Sequence, residues 1–176
     1  MKKSVQTARI ALMVALMAIC AWISIPFGVQ PFTMQTFAVF VAAGLLGAKG
    51  ACWAVLSYML LGAVGLPVFS GMQGGIGVLL GNTGGYVVGF VFIALIEGWA
   101  AEKYRRSPRA LVLSMVLGTL VCYAFGTAWY VLAYLSNSGG AGVLGVLTMC
   151  VFPFVIPDIV KMLLALAVIK RVGRLI

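Results

Sequence analysis

Apolar segments long enough to cross a bilayer recur from one end of this sequence to the other, and that recurrence removes most folds from consideration. A membrane-spanning helix needs about 20 mainly apolar residues. A soluble domain carries about 25% charged residues, whereas this chain has 9% charged and 64% hydrophobic residues. With 176 residues there is room for about six short spans and little else. The predicted fold class is therefore all-α, an integral membrane bundle of six transmembrane helices forming a single domain over residues 1–176.

Proline, glycine and charge punctuate the runs. The first span is predicted over 7–25, ending before Pro26 because the residue preceding proline resists the helical region. Met1-Lys2-Lys3 ahead of it resembles a signal peptide, but the run is long for one and further spans follow, so a retained helix is expected. Pro26, Gly28 and Pro31 make the next loop a turn-rich re-entry. Short helices follow over 33–47 and 51–64, separated by a tight turn at Lys49-Gly50, with Gln35 and Thr36 as polar groups near the start of the first. A fourth span is predicted over 84–101 and a fifth over 110–135. A short non-spanning helix is predicted over 143–151, and a last helix starting with Pro157 in its first turn, a favoured position for proline.

The stretch 65–86 is rich in glycine and uncharged, yet holds Phe69, Met72, Ile76, Val78, Leu79 and Leu80. Irregular backbone at membrane depth survives where it is buried in protein or lines a cavity. The stretch is too apolar for a solvated linker and reads as a cap.

The net charge of +9 does not imply nucleic acid, because the basic residues lie at the ends of apolar runs and not on one polar face. Lys2, Lys3 and Arg9, then Lys49, then Lys103, Arg105, Arg106 and Arg109, then Lys170, Arg171 and Arg174 all fall on one side of a six-helix bundle, and the intervening loops have no Lys or Arg. The positive-inside rule then puts both termini in the cytoplasm. The four cysteines lie in or beside apolar runs without paired spacing and are expected as small buried hydrophobes. Glu97 lies near an interface, where pairing with Lys103 or snorkelling is expected.

One acid and one base, Asp158 and Lys161, interrupt the otherwise uncharged run 110–169. A charge at bilayer depth costs roughly 2.5–3.5 kcal/mol on insertion scales and by default marks a functional site. Three apart on a helix, the two share a face. Lys161 lies nine residues before Lys170, roughly 13 Å of helix. That puts the pair in the outer half of the membrane, under the uncharged loops. Two readings follow: the polar end of an outward-facing pocket for a small solute, or an ion pair that stabilises the fold. Ala11 and Ala15 form a small-xxx-small pair on the first span, suited either to packing within the bundle or to close approach by another helix.

Several classes are excluded by the residues missing from the sequence. There is no Walker loop for ATP hydrolysis, no histidine, and no residue set that supports a metal site or a hydrolase. No enzymatic activity and no cofactor are expected.

Leu66-Pro67-Val68-Phe69-Ser70-Gly71, Gly74-Gly75, Gly81-Asn82-Thr83-Gly84-Gly85-Tyr86 and Pro157-Asp158-Ile159-Val160-Lys161 together resemble the BioY family, the biotin-binding S components of energy-coupling factor (ECF) transporters. The resemblance covers essentially the whole chain. It implies a prokaryotic plasma-membrane protein that captures biotin from outside in a pocket closed by loops 1–2 and 3–4. It also implies partnership with a transmembrane coupling subunit and a pair of cytosolic ATPases. The family's binding Asp and Lys match Asp158 and Lys161, and its coupling-subunit contact matches Ala11 and Ala15. Gly74, Gly75 and Tyr86 belong to the matched motifs. The sequence departs from the family at Gly71-Met72-Gln73-Gly74-Gly75, where relatives often have Gly-Gly-x-Gly-Gly, and at Asn82, where many have proline. Gln73 and Asn82 are carried as further candidate ligand contacts, Asn82 equally as a turn former. Alternatives are an S component for another vitamin or small solute, a stand-alone facilitator, or an assembly subunit without a ligand.

Overall fold

The computed structural model describes residues 3–26, 31–132 and 143–174. The middle of loop 1, the end predicted for the fifth span and the polar loop 136–140 lie outside them. The described residues form α1 (Lys3–Trp22), a two-stranded antiparallel hairpin of β1 (Ser24–Ile25) and β2 (Phe32–Thr33), and α2 (Gln35–Ala63). A single 3-10 turn (Ser70–Met72) follows, then α3 (Ile76–Leu80), α4 (Gly84–Lys103), α5 (Pro108–Tyr130), α6 (Val143–Cys150) and α7 (Phe152–Val172). Among the described residues, α1, α2, α4, α5 and α7 are long and apolar enough to cross a membrane.

The 29 residues of α2 are not one rod. Gly47 has φ +73°, a left-handed conformation that glycine adopts without a Cβ penalty. Gln35 Nε2 donates to Tyr58 Oη at 2.5 Å although the two are 23 residues apart, a separation that spans about 34 Å in a straight helix. The halves therefore fold back on each other. The reversal lies at Gly47, slightly before the expected turn at Lys49-Gly50. Lysine marks where a chain meets polar surroundings, but backbone geometry selects the glycine that actually bends.

The last helix also departs from expectation. It begins at Phe152 with Pro153 in its first turn, and Pro157 lies inside it. Pro157 removes one backbone hydrogen bond near the helix start, where it is least disruptive, and the helix continues through it. The short helix α6 agrees with the expected non-spanning segment.

The core is shared by α1, α2, α4, α5 and α7. Small residues set the spacing of the antiparallel pair α4 and α5: a Cβ on Gly89 would lie 2.7 Å from Cys122 Sγ, and one on Gly118 would lie 3.1 Å from Ile93 Cα. Outward faces carry Trp53, Leu60, Leu113 and Leu163, all exposed, as expected for surfaces whose solvent is lipid.

Hydrogen bonds identify the two ends of the bundle. At one end Arg106 donates from Nε to Gly44 O (3.0 Å), from Nη2 to Leu45 O (3.0 Å) and from Nη1 to Gly173 O (3.4 Å). The α2 bend, the α4–α5 connection and the end of α7 are thereby tied together. At the other end Trp22 Nε1 donates to Pro67 O (2.8 Å), and Ser24 Oγ lies 2.7 Å from Ser70 Oγ. The segment between α2 and α4 forms a cap there. Phe69 is buried in the notch left by Gly62, Gly75 N–H donates to Gly62 O at 2.7 Å, and Tyr58 Oη donates to Val68 O at 2.9 Å.

Glu97 does not pair with Lys103 among the described residues. It is fully buried, and neither carboxyl oxygen has a hydrogen-bond partner there. Six residues along a helix turn the chain through about 600°, so the two side chains point to different faces. Lys103 Nζ lies instead 4.4 Å from the ring centre of Trp99 and 5.6 Å from that of Tyr104. Cys20, Cys122 and Cys150 are buried and Cys52 is half-buried.

Candidate functional site

Under the cap lies a cavity of about 520 Å³. Its polar floor comes from three helices. Asp158 and Lys161 project from one face of α7, and Lys161 Nζ lies 2.7 Å from Asp158 Oδ1. Both residues are only 3% exposed, so bulk water screens the pair little. Thr36 Oγ1, from the start of α2, donates to the same oxygen at 3.2 Å, and Tyr123 Oη, from α5, donates to Oδ2. The carboxylate thus has partners from α2, α5 and its own helix, as a buried charge requires. Lys161 Nζ also lies 4.4 Å from the ring centre of Phe32, a cation–π contact strengthened by burial. Phe32 stacks on Phe154 with centroids 6.5 Å apart.

A carboxylate offers about four acceptor positions and an ammonium three donors. Asp158 receives Lys161, Thr36 and Tyr123, and the Lys161 ammonium makes one hydrogen bond among the described residues. Each group therefore retains capacity toward the cavity. Trp22, Phe69, Phe90 and Phe154 supply apolar walls, with Ser24, Ser70 and Gln73 near the cap. Apolar walls with a few converging polar groups are the usual composition of a small-molecule site, and the volume lies within the usual range of about 300–1,000 Å³.

Of the residues singled out from sequence, Asp158, Lys161, Gln73 and Tyr86 line this cavity, while Asn82, Gly74 and Gly75 do not. Tyr86 is buried, with Oη 3.2 Å from Thr127 Oγ1. Gln73 is exposed within the cap, and Asn82 is exposed between α3 and α4. Gly74 is wedged against the backbone of Gly65 and Leu66, so a Cβ there would lie 2.4 Å from Leu66 O. Gly75 has φ +102°. Both glycines shape the cap. Ala11 and Ala15 are exposed on the outer face of α1, away from the cavity.

In the sequence Thr36 is marked only as a polar residue near a helix start, and no local pattern singles out Tyr123, Phe32 or Trp22. The available signal for Tyr123 was a phenol in the middle of an apolar run. Its pairing with Asp158, 35 residues away, exists only through packing of α5 on α7.

A bundle of membrane-length helices enclosing a capped cavity, with a buried ion pair at its floor, defines a membrane protein built to hold a small solute. The chain belongs to the BioY family, whose sequence model matches residues 1–176. It is 39% identical over 170 residues to "Biotin transporter BioY" of Thermotoga maritima, covering 97% of this chain and 96% of that one. It is 39% identical over 169 residues to "Probable biotin transporter BioY" of Pyrococcus horikoshii, covering 96% of each. The fold matches a crystal structure of the S-component for biotin from an ECF-type ABC transporter with a TM-score of 0.85, at 24% identity, over 98% of this chain and 93% of that one.

Proposed function

We propose that this protein is the substrate-capture subunit of a vitamin uptake system in a prokaryotic plasma membrane, and that its ligand is biotin. The observation that carries the reading is the Asp158–Lys161 pair at the floor of the capped cavity, in a chain of the BioY family. Biotin has two ureido N–H donors, a ureido carbonyl and a carboxylate tail on an apolar bicycle. The open acceptor capacity of Asp158 suits an N–H group, and the free donors of Lys161 suit an oxygen. The aromatic walls suit the bicycle. Gln73 and Tyr86, which line the same cavity, are proposed as further contacts. Asn82, Gly74 and Gly75 act on the ligand indirectly in this reading, through the shape and closure of the cap.

The chain crosses the membrane six times in this reading, with the halves of α2 counted separately. The basic residues gather at the Arg106 end of the bundle, which supports a cytoplasmic location for that end and both termini. The cap and loop 1 then face outward, and the ligand enters from outside. Energy has to come from elsewhere, since the sequence carries no nucleotide-binding motif. A transmembrane coupling subunit and a pair of cytosolic ATPases supply it. The exposed Ala11 and Ala15 let a partner helix approach α1 closely.

Isothermal titration of the purified protein with biotin tests the ligand. Saturable binding at or below micromolar concentration is expected. Silence at micromolar biotin, with a different vitamin found by mass spectrometry of the purified protein, would overturn the assignment.

A further inference from the structure

A second cleft, of about 370 Å³, lies at the opposite end of the bundle, between the α2 bend and the α4–α5 connection. Gly44 to Gly47 form one wall, and Ala101, Glu102, Arg105 and Arg106 form the other. Arg105 and Arg106 both have left-handed backbones, with φ +49° and +56°. Consecutive non-glycine residues rarely adopt this conformation, and where it persists it points to a use for the site. Arg106 is committed to the carbonyls of Gly44, Leu45 and Gly173 and fixes the wall. Arg105 is exposed and makes no hydrogen bond or ion pair among the described residues. The one acid of the cleft, Glu102, accepts from Ala48 N–H at 3.1 Å.

The depth of this cleft is marked by its neighbours. Trp99 and Tyr104 are both about half exposed and hold Lys103 between them. Aromatic residues with a lysine at a helix end anchor at headgroup level. A cavity there, lined by Arg105 and Arg106, is complementary to a phosphate carried by the membrane itself, and guanidinium groups bind phosphate with paired N–H donors.

We propose that this cleft binds the phosphate headgroup of an anionic inner-leaflet phospholipid, with Arg105 as the residue that engages it. The site bridges the α2 bend, the α4–α5 connection and, through Arg106, the end of α7, so an occupied cleft would brace three helices at the end away from the biotin cavity. The inference rests on the orientation proposed above. Lipid retention by the purified protein reads the cleft whatever the orientation, and biotin titration of the same variants reads the outer cavity separately.

The test is native mass spectrometry of the full chain in mixed micelles holding equal phosphatidylglycerol and phosphatidylcholine. Preferential retention of phosphatidylglycerol is expected. Arg105→Asn keeps a residue that tolerates the left-handed backbone and should lower retention about fivefold, the effect of about one basic residue near a charged lipid. Glu102→Gln keeps an acceptor for Ala48 N–H, removes the repelling charge and should raise retention. Arg109→Gln, on the same basic segment but outside the cleft, should change it less than twofold. Biotin affinity should be unchanged in all three. Equal retention of the two lipids would overturn the proposal, as would equal losses for Arg105→Asn and Arg109→Gln. Displacement of the lipid by millimolar sn-glycerol phosphate would show that the cleft takes a soluble phosphate instead, and would also overturn it.

Discussion

The two ends of the bundle handle polarity in opposite ways. At the capped end, charges are gathered around space: Asp158 and Lys161 are buried, satisfy each other and border a cavity of about 520 Å³. Toward the bend, small residues bring the helices into close contact, and the cleft of about 370 Å³ there is bordered by the exposed Glu102 and Arg105 rather than by buried charge. A Cβ on Gly98 would lie 2.4 Å from Ala48 N, and one on Gly44 would lie 2.3 Å from Ile169 Cδ1. The buried acid of α4, Glu97, has no partner among the described residues and lines neither cavity. Burial of a charge therefore does not by itself identify a binding site. What distinguishes Asp158 is the convergence of Thr36, Tyr123 and Lys161 on one carboxylate that still faces open volume.

The largest effect is expected from breaking that convergence. Lys161→Ala leaves Asp158 buried without its counter-charge, which typically costs about 3–5 kcal/mol of stability. Biotin affinity should fall at least about 100-fold, or ~2.7 kcal/mol. Asp158→Asn keeps the shape and should cost less of both. The double variant separates the two roles. Thermal unfolding in detergent should recover most of the stability lost in Lys161→Ala, since no lone charge remains. Calorimetry should still show no tight biotin binding. If binding returns along with stability, the pair is a structural ion pair and not a ligand site.

An intermediate effect is expected where the cap meets the floor. Tyr58 accepts from Gln35 and donates to Val68 O, and its ring meets Phe69 edge-on with centroids 5.5 Å apart. Gln35 in turn accepts from Thr33 Oγ1 at 3.0 Å. This chain of hydrogen bonds connects the start of α2 to the cap without bordering the cavity at Tyr58. Tyr58→Phe preserves the ring but leaves a buried donor, Gln35 Nε2, and a part-buried acceptor, Val68 O, unmatched, typically about 1–3 kcal/mol. Stopped-flow measurement should show biotin leaving roughly fivefold faster, equivalent to about 1 kcal/mol, with a smaller change in the association rate. An unchanged dissociation rate would mean that the cap's position does not depend on this chain.

The same contrast explains what could be read from the sequence. Apolar runs gave the helices, because membrane length and composition are local properties. Asp158 and Lys161 stood out because a charge in an apolar run needs a reason, and their shared face follows from spacing alone. Thr36 and Tyr123 did not stand out. A single hydroxyl in an apolar helix follows no pattern, and its value lies in which helix it meets. Pro157 marks a helix start by local rules because a proline signals a break, whereas packing of α7 carries the helix through it. The bend was misplaced for a related reason: Gly47 and Gly50 are equivalent candidates by sequence, and the close approach of Gly98 to Gly47 and Ala48 is visible only in three dimensions.

The smallest effect is expected at Glu97, and it tests the contrast from its other side. A buried carboxyl group without a partner carries a desolvation cost that an apolar side chain of similar length avoids. Replacing buried polar groups by well-packed apolar ones is often neutral or stabilising. Glu97→Met should therefore leave biotin affinity within about twofold and hold or raise the unfolding temperature, since a flexible thioether fits irregular core space. A loss of binding comparable to that of Lys161→Ala would show that polarity near the bend is also used by the ligand cycle. Unchanged binding in a protein at least as stable would leave the capped end as the place where buried charge serves the ligand.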